Sequence, residues 1–175
     1  MKLMTSLAAV LTAFTLCAEP AAGENLFLNG DFSEGMKHWL FENKAINVSP
    51  EIKFNDKAVV VIPGNSEIRQ NFTIKPDTDY VLTYSVKGEN IKSPNPRNKG
   101  ARFMLNANKK WLRATTLAHG GCMVGTFDWV KGEYRFNSTK DLGGGGKLTI
   151  KLVLDCEGTL YAADIALKEV PKLDK

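Results

Sequence analysis

Histidine and cysteine are scarce in this chain, at two and three of 175 residues, and no two of them stand at the spacing of a metal-ligand pair. That argues against a zinc enzyme. Charge of one sign is never concentrated: 23 basic and 19 acidic residues are spread along the chain, and the net charge of +4 makes no nucleic-acid footprint. Catalytic motifs are missing too. Gly143-Gly144-Gly145-Gly146 lacks the Gly-Lys-Ser/Thr ending and the following helix of a phosphate cradle, and reads as a flexible hairpin connection. Glycoside hydrolysis needs two carboxyl groups across a cleft, announced on strands by acidic residues alternating on one face, and none alternates so here. A Ser66, His119 and Asp128 triad has no nucleophile elbow behind it. The residues point away from an enzyme.

What the chain does have begins with a leader. Met1-Lys2, the apolar stretch Leu3 to Ala18 and the small residues Ala21, Ala22 and Gly23 follow the order of a secretory signal peptide. The stretch carries Thr5, Ser6, Thr12 and Thr15 and falls short of the about 20 apolar residues that span a bilayer. The expected organisation is a signal peptide over 1–23, one domain over 24–170 and a frayed tail over 171–175, with no membrane span in the mature chain. The expected location is secreted, periplasmic or at the cell surface. Cleavage removes Cys17 and leaves Cys122 and Cys156, an even number for an oxidising compartment. They are expected to form one disulfide worth about 3 to 4 kcal/mol, or else to stand as separately buried thiols.

After the leader, helical periodicity gives way to short alternating runs bounded by Gly, Pro, Asn and Asp, which is the pattern of half-buried strands. In 80–86, Tyr80, Leu82, Tyr84 and Val86 share one parity; in 147–154, Leu148, Ile150, Leu152 and Leu154 do. Strands are predicted over 26–28, 38–41, 57–62, 67–74, 80–86, 102–106, 111–115, 127–136, 147–154 and 160–167. So many strands exceed one flat sheet. The fold class is all-β: a two-sheet antiparallel β-sandwich. The Pro94 and Pro96 region is read as a surface loop.

Asn25-Leu26-Phe27-Leu28-Asn29-Gly30-Asp31-Phe32, with Gly35 and Trp39, resembles the opening of carbohydrate-binding modules of the family 4, 9, 16 and 22 type. Ile74 to Leu82, Phe127 to Lys131 with Tyr134-Arg135-Phe136, and Gly158 to Tyr161 are similar to their later strands, in order along the mature chain. The resemblance implies a galactose-binding-like jelly roll with a ligand cleft. It also raises the calcium ion that many such modules carry, but here the pattern departs: Ser33 and Ala163 stand where the family places carboxylates. Asp31, Glu34 and Asp164 remain as weak calcium candidates, and no cofactor is otherwise expected.

Sugars stack their C–H faces on aromatic rings and offer hydroxyls to polar groups at the rim. By the resemblance, Trp39 and Trp129 occupy core-packing positions. Trp111 follows the polar run Asn106 to Lys110, near a hairpin tip, and is either a stacking platform or a rim-packing residue. Arg113 shares its strand face, while Arg102 and Asn106 share a parity on the preceding strand and are the weaker candidates. The expected partner is a poly- or oligosaccharide, bound without catalysis. The rival expectations are a cell-envelope structural or interaction domain that has lost its sugar site, and a small glycoside hydrolase.

Overall fold

The computed structural model describes residues 23–114 and 121–172, so the leader through residue 22, His119 and the last three residues of the tail lie outside the described residues. Ten strands follow one another: β1 (Leu40–Phe41), β2 (Asn47–Phe54), β3 (Lys57–Pro63), β4 (Ser66–Ile74), β5 (Asp79–Lys92), β6 (Ala101–Ala107), β7 (Lys110–Ala114), β8 (Gly125–Asn137), β9 (Gly146–Leu154) and β10 (Glu157–Val170). They form two antiparallel five-stranded sheets, ordered β1-β4-β9-β6-β7 and β2-β3-β10-β5-β8. The expected β-sandwich is what the chain adopts. No helix among the described residues is long and apolar enough to cross a membrane.

The alternation read in the sequence becomes the core. Ile68, Phe72 and Ile74 from β4, Phe103 and Leu105 from β6, and Leu148, Ile150, Leu152 and Leu154 from β9 point inward. Tyr80, Leu82, Tyr84 and Val86 of β5 and Leu160 and Ala162 of β10 meet them from the second sheet. Tyr84 lies against Phe103 with ring centroids 4.3 Å apart. On β8 the residue paired with Tyr84 is Gly132, where a Cβ would stand 2.3 Å from the Tyr84 ring, so only glycine leaves room for it.

Three local expectations change. Residues 26–28 are not a strand, because their hydrogen bonds go partly to a side chain: the Leu28 N–H donates to Gln70 Oε1 and Gln70 Nε2 donates back to the Leu28 carbonyl. This segment instead inserts Phe27 and Phe32 beside Trp39, at 5.3 and 5.1 Å between ring centroids. The four glycines from Gly143 to Gly146 lead from β8 to β9, which belong to different sheets, so they bridge the sandwich instead of closing a hairpin. Strand β2, containing Pro50, was not expected. Proline is tolerated there because β2 is an edge strand and its register shifts between Ser49 and Lys53.

The β2–β3 tip decides which surface stays open. Phe54 and Trp129 sit on strands at opposite edges of the second sheet, about 19 Å apart at ordinary strand spacing. Their ring centroids are nevertheless 4.5 Å apart, so the hairpin tip folds across the outer face of that sheet. Ile52 and Phe54 pack there on Val59, Tyr161 and Trp129 as a second small cluster. Trp129 thus packs this outer cluster and not the central core expected from its resemblance.

Tyr84 supplies a check on the core. Its side chain is 2% exposed, its hydroxyl has no hydrogen-bond partner among the described residues, and burial pushes its pKa up to about 12. Removing an unpaired buried polar group relieves a desolvation cost. Tyr84→Phe is therefore expected to leave thermal stability unchanged or raise it by up to about 2 kcal/mol; a clear drop in melting temperature would show that the hydroxyl is satisfied.

Candidate functional site

With the second sheet capped, the outer face of β4, β9, β6 and β7 is the broad surface left to read. Strand register places its side chains in rows. One row runs Trp111, Asn106, Thr149, Asn71; the next runs Arg113, Met104, Lys151, Arg69 and ends at Leu40 on β1. The β6–β7 hairpin turns through Asn108 and Lys109, both at positive φ, which the Asn108 amide stabilises by donating to the Leu142 carbonyl. Its tip presents Trp111, 54% exposed and the largest exposed apolar side chain among the described residues. The structure thus brings Trp111, Asn106 and Arg113 onto one surface.

Sequence reasoning missed the other half of that surface. Lys151 Nζ lies 2.8 Å from Glu67 Oε1, and Arg69 Nη1 donates to the same oxygen at 2.7 Å. Partial burial pushes the Glu67 carboxyl up, but these two hydrogen bonds and the charges behind them outweigh it and hold Glu67 below the usual carboxylate range. Thr149 Oγ1 donates to Asn71 Oδ1 at 2.8 Å, which turns the Asn71 amide nitrogen away from Thr149. Polar groups on β4 and β9 are thereby held in place before any ligand arrives. Beyond Glu67 and Val153 the surface descends into a groove of about 350 Å³ bordered by Glu42, Asn43, Ser66 and Asp155. The outward parity of β4 and β9 was legible; their side-chain network was not.

Arg102 is a correction. It has the outward parity expected of it, but it is only 6% exposed and forms a bidentate pair with Asp155, at 2.8 and 2.7 Å, while also reaching Cys122 Sγ at 3.7 Å. A guanidinium so engaged is not a rim donor for a sugar. Burial pushes the Asp155 carboxyl up, yet hydrogen bonds from Arg102 and the Gly100 N–H, with the Arg102 charge, hold it below the ordinary range. Cys122 and Cys156 are a second correction: both are buried free thiols, and the expected disulfide is not present. Their sulfurs are spent on neighbours, Cys122 beside Arg102 and Cys156 on the Glu157 carbonyl.

The calcium candidates do not fit a calcium ion. Asp164 Oδ1 holds the Lys57 ammonium at 2.6 Å, Glu34 pairs with Lys37, and Asp31 accepts from the Ser33 N–H and hydroxyl. The Ser33 hydrogen bonds, with the charge of Lys57 contributing, hold the Asp31 carboxyl below the usual range. Lys57 therefore supplies positive charge to both Asp31 and Asp164. Among the described residues no three His, Cys, Asp or Glu side chains gather to hold a metal.

Two outcomes follow. Asp155→Asn leaves the Arg102 guanidinium buried without its anion and is expected to cost about 2 kcal/mol, less than a fully buried pair because Asp155 is 33% exposed. Since the folded state depresses the Asp155 pKa, its contribution is present above the unfolded value and is lost on acidification. The melting-temperature gap between variant and parent should therefore narrow below about pH 4; a gap independent of pH would contradict the pairing. Chelator or millimolar calcium should move the melting temperature by less than about 2 °C, and a larger shift would restore a cation site.

Comparison with known proteins places this geometry. No protein-family model matches the chain. One curated relative, the pesticidal crystal protein Cry8Ca of Bacillus thuringiensis subsp. japonensis, is 35% identical over 69 residues; the match takes in 39% of this chain and only 6% of that protein's length. Among solved structures, a family 16 carbohydrate-binding module superposes with a TM-score of 0.59 at 19% identity, covering 82% of this chain and 99% of the module. The CBM22-1 xylan-binding domain of Paenibacillus barcinonensis Xyn10C gives 0.58 at 12% identity, covering 89% of this chain and all 100% of the domain. A family 61 module solved with β-1,4-galactotriose gives 0.51 at 19% identity, covering 84% and 99%. At such identities the likeness is one of architecture: the chain has the two-sheet jelly-roll fold of carbohydrate-binding modules.

Proposed function

We propose that this protein is a secreted, non-catalytic carbohydrate-binding domain whose ligand, a poly- or oligosaccharide, lies across the outer face of β4, β9, β6 and β7. One observation carries the reading: Trp111 stands exposed at the edge of that face, level with a row of amide and hydroxyl side chains. An indole costs free energy when left in water, and a pyranose offers the flat C–H surface that covers it while its hydroxyls meet Asn106, Thr149 and Asn71. Arg113 flanks the stacking position. The xylan-binding domain and the family 61 module solved with β-1,4-galactotriose support the same reading by their shared architecture. Export follows from the leader in residues 1–23, and the domain proper is residues 24–170.

Binding without turnover is supported by the state of the carboxylates. Glu67, opposite Val153 beside the second row, is clamped by Lys151 and Arg69 and held ionised, which suits a hydrogen-bond acceptor and not a general acid.

A panel of soluble oligosaccharides titrated against the purified protein tests this. Binding is expected for at least one sugar class, with Trp111→Ala weakening it tenfold or more, a stacking contribution of about 1.4 kcal/mol or greater. The absence of binding across the panel, an affinity indifferent to Trp111→Ala, or release of shorter sugars with time would each overturn the reading.

A further inference from the structure

Charge on the open face is lopsided. Arg113, Lys151 and Arg69 form one row, and Lys147 lies along β9 beyond Thr149. Against these four cations stand Glu67 and, reaching Arg69 Nη2 at 3.6 Å from a side chain 87% exposed, Glu42. Arg102 and Asp155 cancel one another. The imbalance deepens on the Arg113 side, where the neighbouring loop 93–100 contributes Arg97 and Lys99 and contains no acidic residue.

Arg113 itself is held by neutral groups. Its Nη1 donates to the Arg97 carbonyl at 2.9 Å and to Asn98 Oδ1 at 3.3 Å, and the side chain is exposed. Among the described residues these bonds fix the guanidinium without neutralising it and engage one nitrogen of its fork. It stands two positions from Trp111 on the same face of β7, about 7 Å along a strand. A ring stacked on the indole therefore has beside it a pre-oriented guanidinium that no acidic side chain among the described residues pairs with, and planar guanidinium donors match carboxylate and sulfate oxygens two at a time. Lys151 and Arg69 extend the positive row across the sheet, toward where further residues of a glycan chain would lie.

We infer that the ligand is an acidic polysaccharide, its anionic groups carried as uronate carboxylates or sulfate esters, with Arg113 as the anion-reading residue beside the Trp111 platform. This rests on the carbohydrate-binding reading above and names the class of sugar. Trp111 supplies affinity for any pyranose, and Arg113 supplies the preference for charge.

The test titrates the purified protein with length-matched oligosaccharides of three kinds, oligouronates, sulfated oligosaccharides and neutral gluco- or xylo-oligosaccharides, and with a single-stranded oligodeoxynucleotide. Acidic sugars are expected to bind at least tenfold tighter than neutral ones at low salt, with the advantage shrinking several-fold as sodium chloride is raised, because exposed ionic contacts are screened. Comparing the uronate and sulfate arms identifies the anionic group. Arg113→Gln should lower acidic-sugar affinity about tenfold and neutral-sugar affinity by no more than about twofold, and Arg113→Lys should recover part of the acidic-sugar loss; equal melting temperatures show that the variants are folded. Equal affinity for acidic and neutral sugars, still lost with Trp111→Ala, would overturn the acidic preference while sustaining the carbohydrate reading. The oligodeoxynucleotide binding as tightly as the acidic sugars would also overturn it, as nonspecific polyanion capture. No sugar binding at all would overturn both.

Discussion

The pairing that sets Asn106 opposite both Trp111 and Thr149, and Met104 opposite both Arg113 and Lys151, determines everything the open face can do. The alternate residues of the same strands, Phe103, Leu105, Ile150 and Leu152, are sealed in the core. A slip of one residue in β6 would drive Phe103 and Leu105 into water and turn Met104 and Asn106 inward, so the burial of the inner side chains enforces the arrangement of the outer ones. The core and the candidate site are two readings of one register.

A second constraint separates the two outer faces. The β2–β3 tip spreads Ile52 and Phe54 over the far sheet and covers Tyr161 and Trp129, giving that side its own small apolar cluster. Among the described residues nothing so covers the rows of the near sheet, and its polar residues are organised instead by each other: Glu67 between Lys151 and Arg69, Thr149 against Asn71. Such mutual clamping reduces the ordering cost of binding. Among the described residues it also leaves Arg113 oriented by a backbone carbonyl and an amide, with no acidic partner.

Much of this was legible from residue order. Period-two alternation located the cores of β3 to β10, and the polar run before Trp111 marked the hairpin that exposes it. The failures have physical causes. Pro50 disguised β2, because nothing local reveals that a strand will be an edge with a bulge. The apolar 26–28 run looked like a strand, but its partner is a glutamine side chain 42 residues away from Leu28. Arg102 had the right parity and the wrong surroundings: its anion, Asp155, lies 53 residues further on, and the distance in sequence hid the pair that removes it from the surface. The same compact corner absorbs Cys122, whose even-numbered partnership with Cys156 had suggested a disulfide. The Glu67–Lys151 clamp, 84 residues apart, was invisible for the same reason.

Whether a sugar occupies the open face is read most directly from nitrogen–proton correlation spectra of the protein during titration with the oligosaccharide that binds. The account predicts that the indole N–H of Trp111 and the amides of β6, β7 and β9 shift together, while the indole of Trp39, bonded to the Asn29 carbonyl in the core, and that of Trp129 under the β2–β3 tip stay fixed. Shifts centred on Trp129 or at the strand ends, with Trp111 unmoved, would contradict it.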